Sequence, residues 1–179
     1  MRERAGLNDT SSETSSDTLH AGCVLLGEGG LLIRGPSGAG KSMLAHGLVA
    51  RWHAAGRFAA HVADDRVRVA RVDGRVVAMP HPAIAGSLEI RGLGLVPVAH
   101  ERACVLRAVI DLVENLPERL PEPAALQQVI MGVSLPFLPV SGDNWLIDRV
   151  ETFWFQGYYK QDGAMSRLAR LNFSSRCTR

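Results

Sequence analysis

Gly35-Pro-Ser-Gly-Ala-Gly-Lys-Ser42 stands between the apolar triplet Leu31-Leu-Ile33 and a segment carrying Leu44, Leu48 and Trp52 at i, i+4 and i+8, with Val49 beside them. The stretch satisfies G-x-x-x-x-G-K-[ST], and its flanks supply the context such a loop requires: a buried strand before it and an amphipathic helix, over 41–55, after it. Gly35, Gly38 and Gly40 permit backbone torsions that a Cβ obstructs, so successive amide N–H groups can turn inward around a polyphosphate. Lys41 offers a point charge to the β- and γ-phosphates, and the Ser42 hydroxyl is suited to Mg²⁺. The helix begins at the phosphates, with its positive dipole end facing their charge. The whole loop, Gly35, Pro36, Ser37, Gly38, Ala39, Gly40, Lys41 and Ser42, is therefore the candidate nucleotide site. ATP, GTP or a related polyphosphate is the expected ligand.

The 179 residues are most economically one domain, with 46% hydrophobic and 21% charged residues, enough for a sizeable core. A net charge of +2, with basic residues scattered among acidic ones, gives no reason to expect a nucleic-acid partner. Cys23, Cys104 and Cys177 are far apart in the chain and form no C-x-x-C or zinc spacing; an odd cysteine count fits a reducing cytoplasm. No apolar run approaches the roughly 18 residues of a membrane span, so no membrane partner is expected. Residues 1–18 are polar and Ser/Thr-rich and read as a disordered leader, not a targeting segment.

Outward from the loop, Cys23-Val-Leu-Leu26 and Leu31-Leu-Ile33 flank Gly27-Glu-Gly-Gly30 as a hairpin, and the helix ends near Gly56. Phe58 to Ala63 is a second core strand running into Asp64-Asp65. Asp73-Gly74 is a hairpin signal between Val67-Arg-Val69 and Arg75-Val-Val77. Pro80, Pro82 and Gly86 mark a loop, Leu88 to Arg91 a short strand that stops at Gly92-Leu-Gly94, and residues 103–113 another core strand. A Pro-rich stretch follows at Pro117, Pro121 and Pro123. Strands outnumber helices, whereas a doubly wound fold alternates the two. The expectation is an α/β fold in which the loop is set into a mixed, hairpin-rich sheet with one dominant helix.

Three further places carry chemistry. Asp64 and Asp65 end an apolar strand, where phosphoryl-transfer enzymes hold Mg²⁺-linked or catalytic carboxylates; a solvated turn is the plainer reading. Adjacent strand residues face opposite sides, so the pair divides its labour unless the chain turns there. Glu89 and Arg91 share one face opposite Leu88 and Ile90, and can serve Mg²⁺ and phosphate or form a surface ion pair. His20, just ahead of the first hairpin, suits a structural or a catalytic role. His46 and His53 look like packing or surface residues, and His61, His81 and His100 have no ligand-set spacing.

Taken together, His20-Ala21, the hairpin, the loop, Val62-Ala-Asp-Asp-Arg-Val67, Leu88-Glu-Ile-Arg-Gly-Leu-Gly-Leu95 and Glu118-Arg-Leu-Pro121 resemble the catalytic domain of HPr kinase/phosphorylase, over about residues 19–123. The chain resembles the short alphaproteobacterial forms that consist of the catalytic domain alone. The resemblance implies an HPr kinase / PEP carboxykinase-like fold and a cytoplasmic protein-serine kinase that uses ATP and Mg²⁺. Its implied acceptor is an HPr-type phosphocarrier of the phosphotransferase system, and its implied assembly a homo-oligomer, a hexamer. It implies that the loop and Lys41 hold the nucleotide and that Ser42 and Glu89 hold Mg²⁺. The Asp64-Asp65 pair, Asp65 foremost, would accept the serine proton, with His20 and Arg119 assisting at the phosphoryl group. Reversal by phosphorolysis of phosphoserine is a family property. The residue after Ser42, usually acidic in that family, is Met43 here. Leu135-Pro-Phe-Leu-Pro139 gives no convincing match to the family's phosphorolysis segment, and residues 151–179 diverge, with Phe153-Trp-Phe155 and Tyr158-Tyr159 expected as a helix on the core or at an interface. Residues 19–150 are the expected catalytic domain. Two other readings are a small-molecule kinase and a nucleotide-binding regulatory module without catalysis.

Overall fold

The apolar run before the loop is uninterrupted because its strand is covered on both faces. The computed structural model describes residues 16–90, 92–116 and 126–161, with side chains as far as Gln156. In it, strand β3 (Gly29–Arg34) lies inside a mixed sheet, between β2 (Gly22–Leu26) and β9 (Cys104–Leu112). Leu31 and Ile33 face one core with Leu44, Leu48 and Trp52 of helix α1 (Lys41–Ala54); Leu32 faces a second core on the opposite side.

Local turn chemistry builds the hairpins as the sequence predicts. Gly27 takes φ 64 in the turn joining β2 to β3, and Gly56 takes φ 68 just past α1. β4 (Ala59–Ala63) pairs with β2. β5 (Arg66–Val72) and β6 (Arg75–Pro80) are joined by Asp73 and Gly74, both at positive φ (48 and 73), as a right-twisted two-residue hairpin requires. The edge strand β1 (Ser16–His20) pairs antiparallel with β5. Its first residues, Ser16 to Thr18, belong to the stretch read as a leader; sheet pairing claims them for the fold.

Three further departures from the sequence reading appear. β7 (Ser87–Ile90) does not simply stop at the glycines but turns back as β8 (Gly94–Pro97), a separate two-stranded sheet. β10 (Gln127–Ile130) and β11 (Val133–Val140) were not anticipated, and β11 joins β9 in parallel. Pro136 and Pro139 hide β11 from propensity. One half of that strand pairs with β10 and the other with β9, so each proline can turn its missing N–H toward an unpaired edge. Finally, α1 is not the single dominant helix: α2 (Leu146–Gln161) is longer, and it crosses the expected boundary at 150/151. Val150 and Trp154 bury against the α1 core, and Arg51 of α1 pairs with Asp148 and Glu151 of α2 at 2.6 and 3.0 Å. No described helix is long and apolar enough to cross a membrane.

Candidate phosphoryl-transfer site

β3 delivers the loop from a fixed edge. Arg34, its last residue, is in register with Asp111 of β9 and bonds it bidentately, Nε–Oδ1 at 2.6 Å and Nη2–Oδ2 at 2.8 Å. Gly35 follows at φ 143, and a Cβ there would lie 2.8 Å from the Leu112 carbonyl. The first glycine of the motif is thus needed for close passage over β9 as well as for its torsion. Gly40, at φ 95, has nothing within 4 Å of a Cβ position; here the torsion alone selects glycine. No side chain caps the α1 N-terminus and no acidic residue lies in its first turn, so the dipole end is left for an anion.

The chain turns at the aspartate pair. Asp65 takes φ 65, and the Arg66 N–H donates to the Asp64 carbonyl at 2.8 Å across it, closing a tight three-residue turn. Such strained geometry concentrates at functional sites. The two carboxylates consequently part. Asp64 is buried; its Oδ1 accepts from the Ser42 hydroxyl at 2.8 Å and its Oδ2 from the Glu89 amide at 3.1 Å, tying loop, aspartate pair and β7 together. Asp65 is exposed and lies 3.0 Å from His20 Nδ1.

His20 reaches Lys41 with its other nitrogen, Nε2 to Nζ at 3.1 Å. Lys41 Nζ also donates to the Gly35 and Pro36 carbonyls, both at 3.0 Å. An ammonium has donors only, so Nε2 must accept and the ring proton sits on Nδ1, directed at Asp65. Lys41, His20 and Asp65 therefore form one continuous hydrogen-bonded line. Beside it an open cavity of about 350 Å³ is lined by Thr18, Leu19, His20, Asp65 and Arg66.

Six residues singled out in the sequence, His20, Lys41, Ser42, Asp64, Asp65 and Glu89, thus converge. The Glu89 side chain is exposed while Leu88 is buried, as the alternation predicts. Arg91 and Arg119 lie outside the described residues. Sequence reading missed the Arg34–Asp111 clamp, which only strand register reveals. It also missed the histidines grouped around β4, of which only His61 is buried. His61 is buried in β4, its ring stacks on that of His46 with centroids 5.9 Å apart, and its backbone forms a parallel bridge with that of His100. Burial, and then His46, hold its pKa below the usual histidine value; Asp64 opposes them, and His53 adds to the lowering.

The folded state therefore binds fewer protons at His61 than the unfolded chain, so stability rises with pH through this window. The contribution is complete above about 6.5, the unfolded value, and is lost as pH falls from there through the lower folded pKa, with a slope of up to about 1.4 kcal/mol per pH unit. Urea unfolding from pH 5 to pH 7 should show this slope in the wild type and a flatter one in His61→Gln. Equal slopes would remove His61 as its source.

The second core holds another pair that spacing conceals. Cys23 and Cys104 bring their Sγ atoms to 3.5 Å, beside Gly30, where an added Cβ would collide with Cys104 Sγ. Their mutual hydrogen bond, and then burial, raise the Cys23 pKa well above the usual thiol value, so it is packing and not a nucleophile.

Comparison with known proteins gives the family and the fold. Residues 12–138 match the family model described as HPr Serine kinase C-terminal domain. The HPr kinase/phosphorylase of Azoarcus sp. (strain BH72) is 38% identical over an alignment of 126 residues that covers 63% of this chain and 38% of that protein. The HPr kinase/phosphorylase of Aromatoleum aromaticum is 36% identical over the same length and the same shares. This chain therefore spans less than half the length of these relatives. The solved structure of the HPr(Ser) kinase/phosphatase from Coxiella burnetii superposes with a TM-score of 0.67, over 82% of this chain and 99% of that one. At 23% identity that likeness speaks for the fold.

Proposed function

Because the chain belongs to the HPr Serine kinase C-terminal domain family, we propose that it is a protein-serine kinase that transfers phosphate from ATP to a serine of an HPr-type phosphocarrier. The observation that carries this reading is the parting of the aspartates: one buried against the loop serine, the other exposed, beside His20 and at an open cavity.

The donor set fits a nucleotide with a hard cation. The Ser42 hydroxyl and the Asp64 carboxylate are oxygen donors side by side, and the Glu89 backbone is bonded to the same carboxylate. Among the described residues no cluster of three or more His, Cys, Asp or Glu side chains is placed to hold a metal by itself. The oxygen groups of Ser42 and Asp64 suit Mg²⁺, which is held by one or two carboxylates together with phosphates and water. Ser42 and Glu89 would hold it, with Asp64 orienting the Ser42 hydroxyl. When bound, Mg-ATP supplies the phosphoryl group and the cation that spreads its charge.

The residues then divide the work. Lys41, which donates to the Gly35 and Pro36 carbonyls, would give its charge to the phosphates of a bound nucleotide. Asp65 takes the proton that the acceptor seryl oxygen sheds as its bond to phosphorus forms. His20 holds Asp65 in place through Nδ1–H. In phosphorolysis, the reverse reaction of the family, inorganic phosphate would attack the phosphoserine phosphorus to give pyrophosphate, and protonated Asp65 would return its proton to the departing seryl oxygen. Arg119 is assigned to the transferred group through the family resemblance. The catalytic domain, which begins with β1 and is completed by α2, acts as part of a cytoplasmic homo-oligomer, a hexamer in this proposal.

Incubation of the protein with Mg-ATP and the HPr-type carrier of the same organism should add one phosphate to the carrier, at a serine, read by intact mass and peptide mapping. Tight ATP binding without any transfer would overturn the reading in favour of a nucleotide-binding module.

A further inference from the structure

One basic surface is left over from the site. β1, β5 and β6 are antiparallel, and their inner face sends Leu19, Val67, Val69, Val76 and Ala78 into the second core. Alternation along each strand turns Thr18, His20, Arg66, Arg68 and Arg75 to the outer face. Register sets Arg66 directly opposite His20 and Arg68 opposite Thr18; Arg75, opposite Val72, extends the same face along the next strand. The other described positions on this face include no Asp or Glu. Among the described residues none of these arginines makes an ion pair. The two carboxylates beside this face are Asp17, opposite Val69 and turned to the other side by alternation, which accepts from the Thr18 amide, and Asp65, which is bonded to His20. Arg66 lines the open cavity together with His20 and Asp65, so the arginine face runs into the site.

A solvated surface normally intersperses both charge signs. A one-signed face continuous with a reaction site focuses potential, raising the encounter rate of an oppositely charged partner. Guanidinium groups are suited to carboxylates, which they meet bidentately. We propose that this arginine face is the docking surface for the acceptor protein, and that it recognises an acidic segment beside the acceptor serine. The proposal rests on the kinase reading above and adds to it the side from which the acceptor enters: over β1 and β5, past Arg68 and Arg66, to Asp65.

The test is steady-state kinetics of Arg66→Glu/Arg68→Glu with the HPr-type carrier at low and high salt, with thermal unfolding to verify the fold. The KM for the carrier is expected to rise about tenfold, and the salt dependence of kcat/KM to flatten, because charges at an interface rim act on association rate. The doubly conservative Arg66→Lys/Arg68→Lys should recover most of the loss. A folded charge-reversal variant with wild-type carrier KM and wild-type salt dependence overturns the docking surface while leaving the kinase reading intact. A fall in kcat at unchanged KM overturns it too, placing Arg66 at the transferred group. A wild-type protein that phosphorylates no carrier defeats the kinase reading, and the docking surface with it.

Discussion

Asp65→Asn should lower kcat for carrier phosphorylation by about 10²- to 10⁴-fold, the usual contribution of a general base, with nucleotide affinity little changed. The substitution is structurally mild. Asparagine, like aspartate, tolerates the left-handed torsion that residue 65 adopts at φ 65, and its amide oxygen can still accept the Nδ1–H of His20, 3.0 Å away. What it loses is the capacity to accept a proton. Asp64→Asn provides the contrast. Asp64 uses both oxygens, one for the Ser42 hydroxyl and one for the Glu89 amide, and an amide can serve only one of them as acceptor. Its main effect should therefore be weaker Mg-ATP binding, measured by titration calorimetry. Similar kcat losses and similar affinities in the two variants would erase the division of labour between them.

Trp154→Ala should destabilise the protein by about 3–5 kcal/mol, the range for emptying a large buried aromatic site. The Trp154 side chain is 1% exposed, and its ring lies so close to β3 that a Cβ at Gly29 would come within 2.9 Å of it. Around it Phe155 stacks on Trp52 at 5.6 Å, with the Arg57 guanidinium 4.9 Å from the Phe155 ring centre. The first turns of α2 thus complete the core under α1, although the match to the family model ends at residue 138. Urea denaturation with an unchanged m-value would read the loss directly. A change under about 1 kcal/mol, typical of a surface site, would detach α2 from the core.

How much was legible beforehand depended on the range of the interaction. The turns at Gly27, Asp73-Gly74 and Gly56 and the loop itself were readable because they are backbone requirements met within a few residues. The aspartate pair was readable as a pair, but not as a turn. A positive φ at Asp65 is not marked by a glycine and is held by bonds to Ala21 and across Asp64–Arg66. The β11 strand was illegible because its prolines argue locally against it, while its place beside β9 is granted by sheet edges that form elsewhere in the chain.

The sequence by itself determined the glycine-rich loop, the hairpin-rich mixed sheet, the helix after the loop, and which side chains are candidates for phosphoryl chemistry. Glycine torsions, alternation and residue chemistry are local, and they survive any arrangement of the rest. Only the tertiary structure decided that Ser42 meets Asp64, that His20 bridges Lys41 and Asp65, that Arg34 is clamped by Asp111, and that three arginines share a face without a carboxylate. Those are contacts between strands and helices distant in the chain. Their partners are chosen by sheet order and register, and register is set by packing both faces of β3 at once.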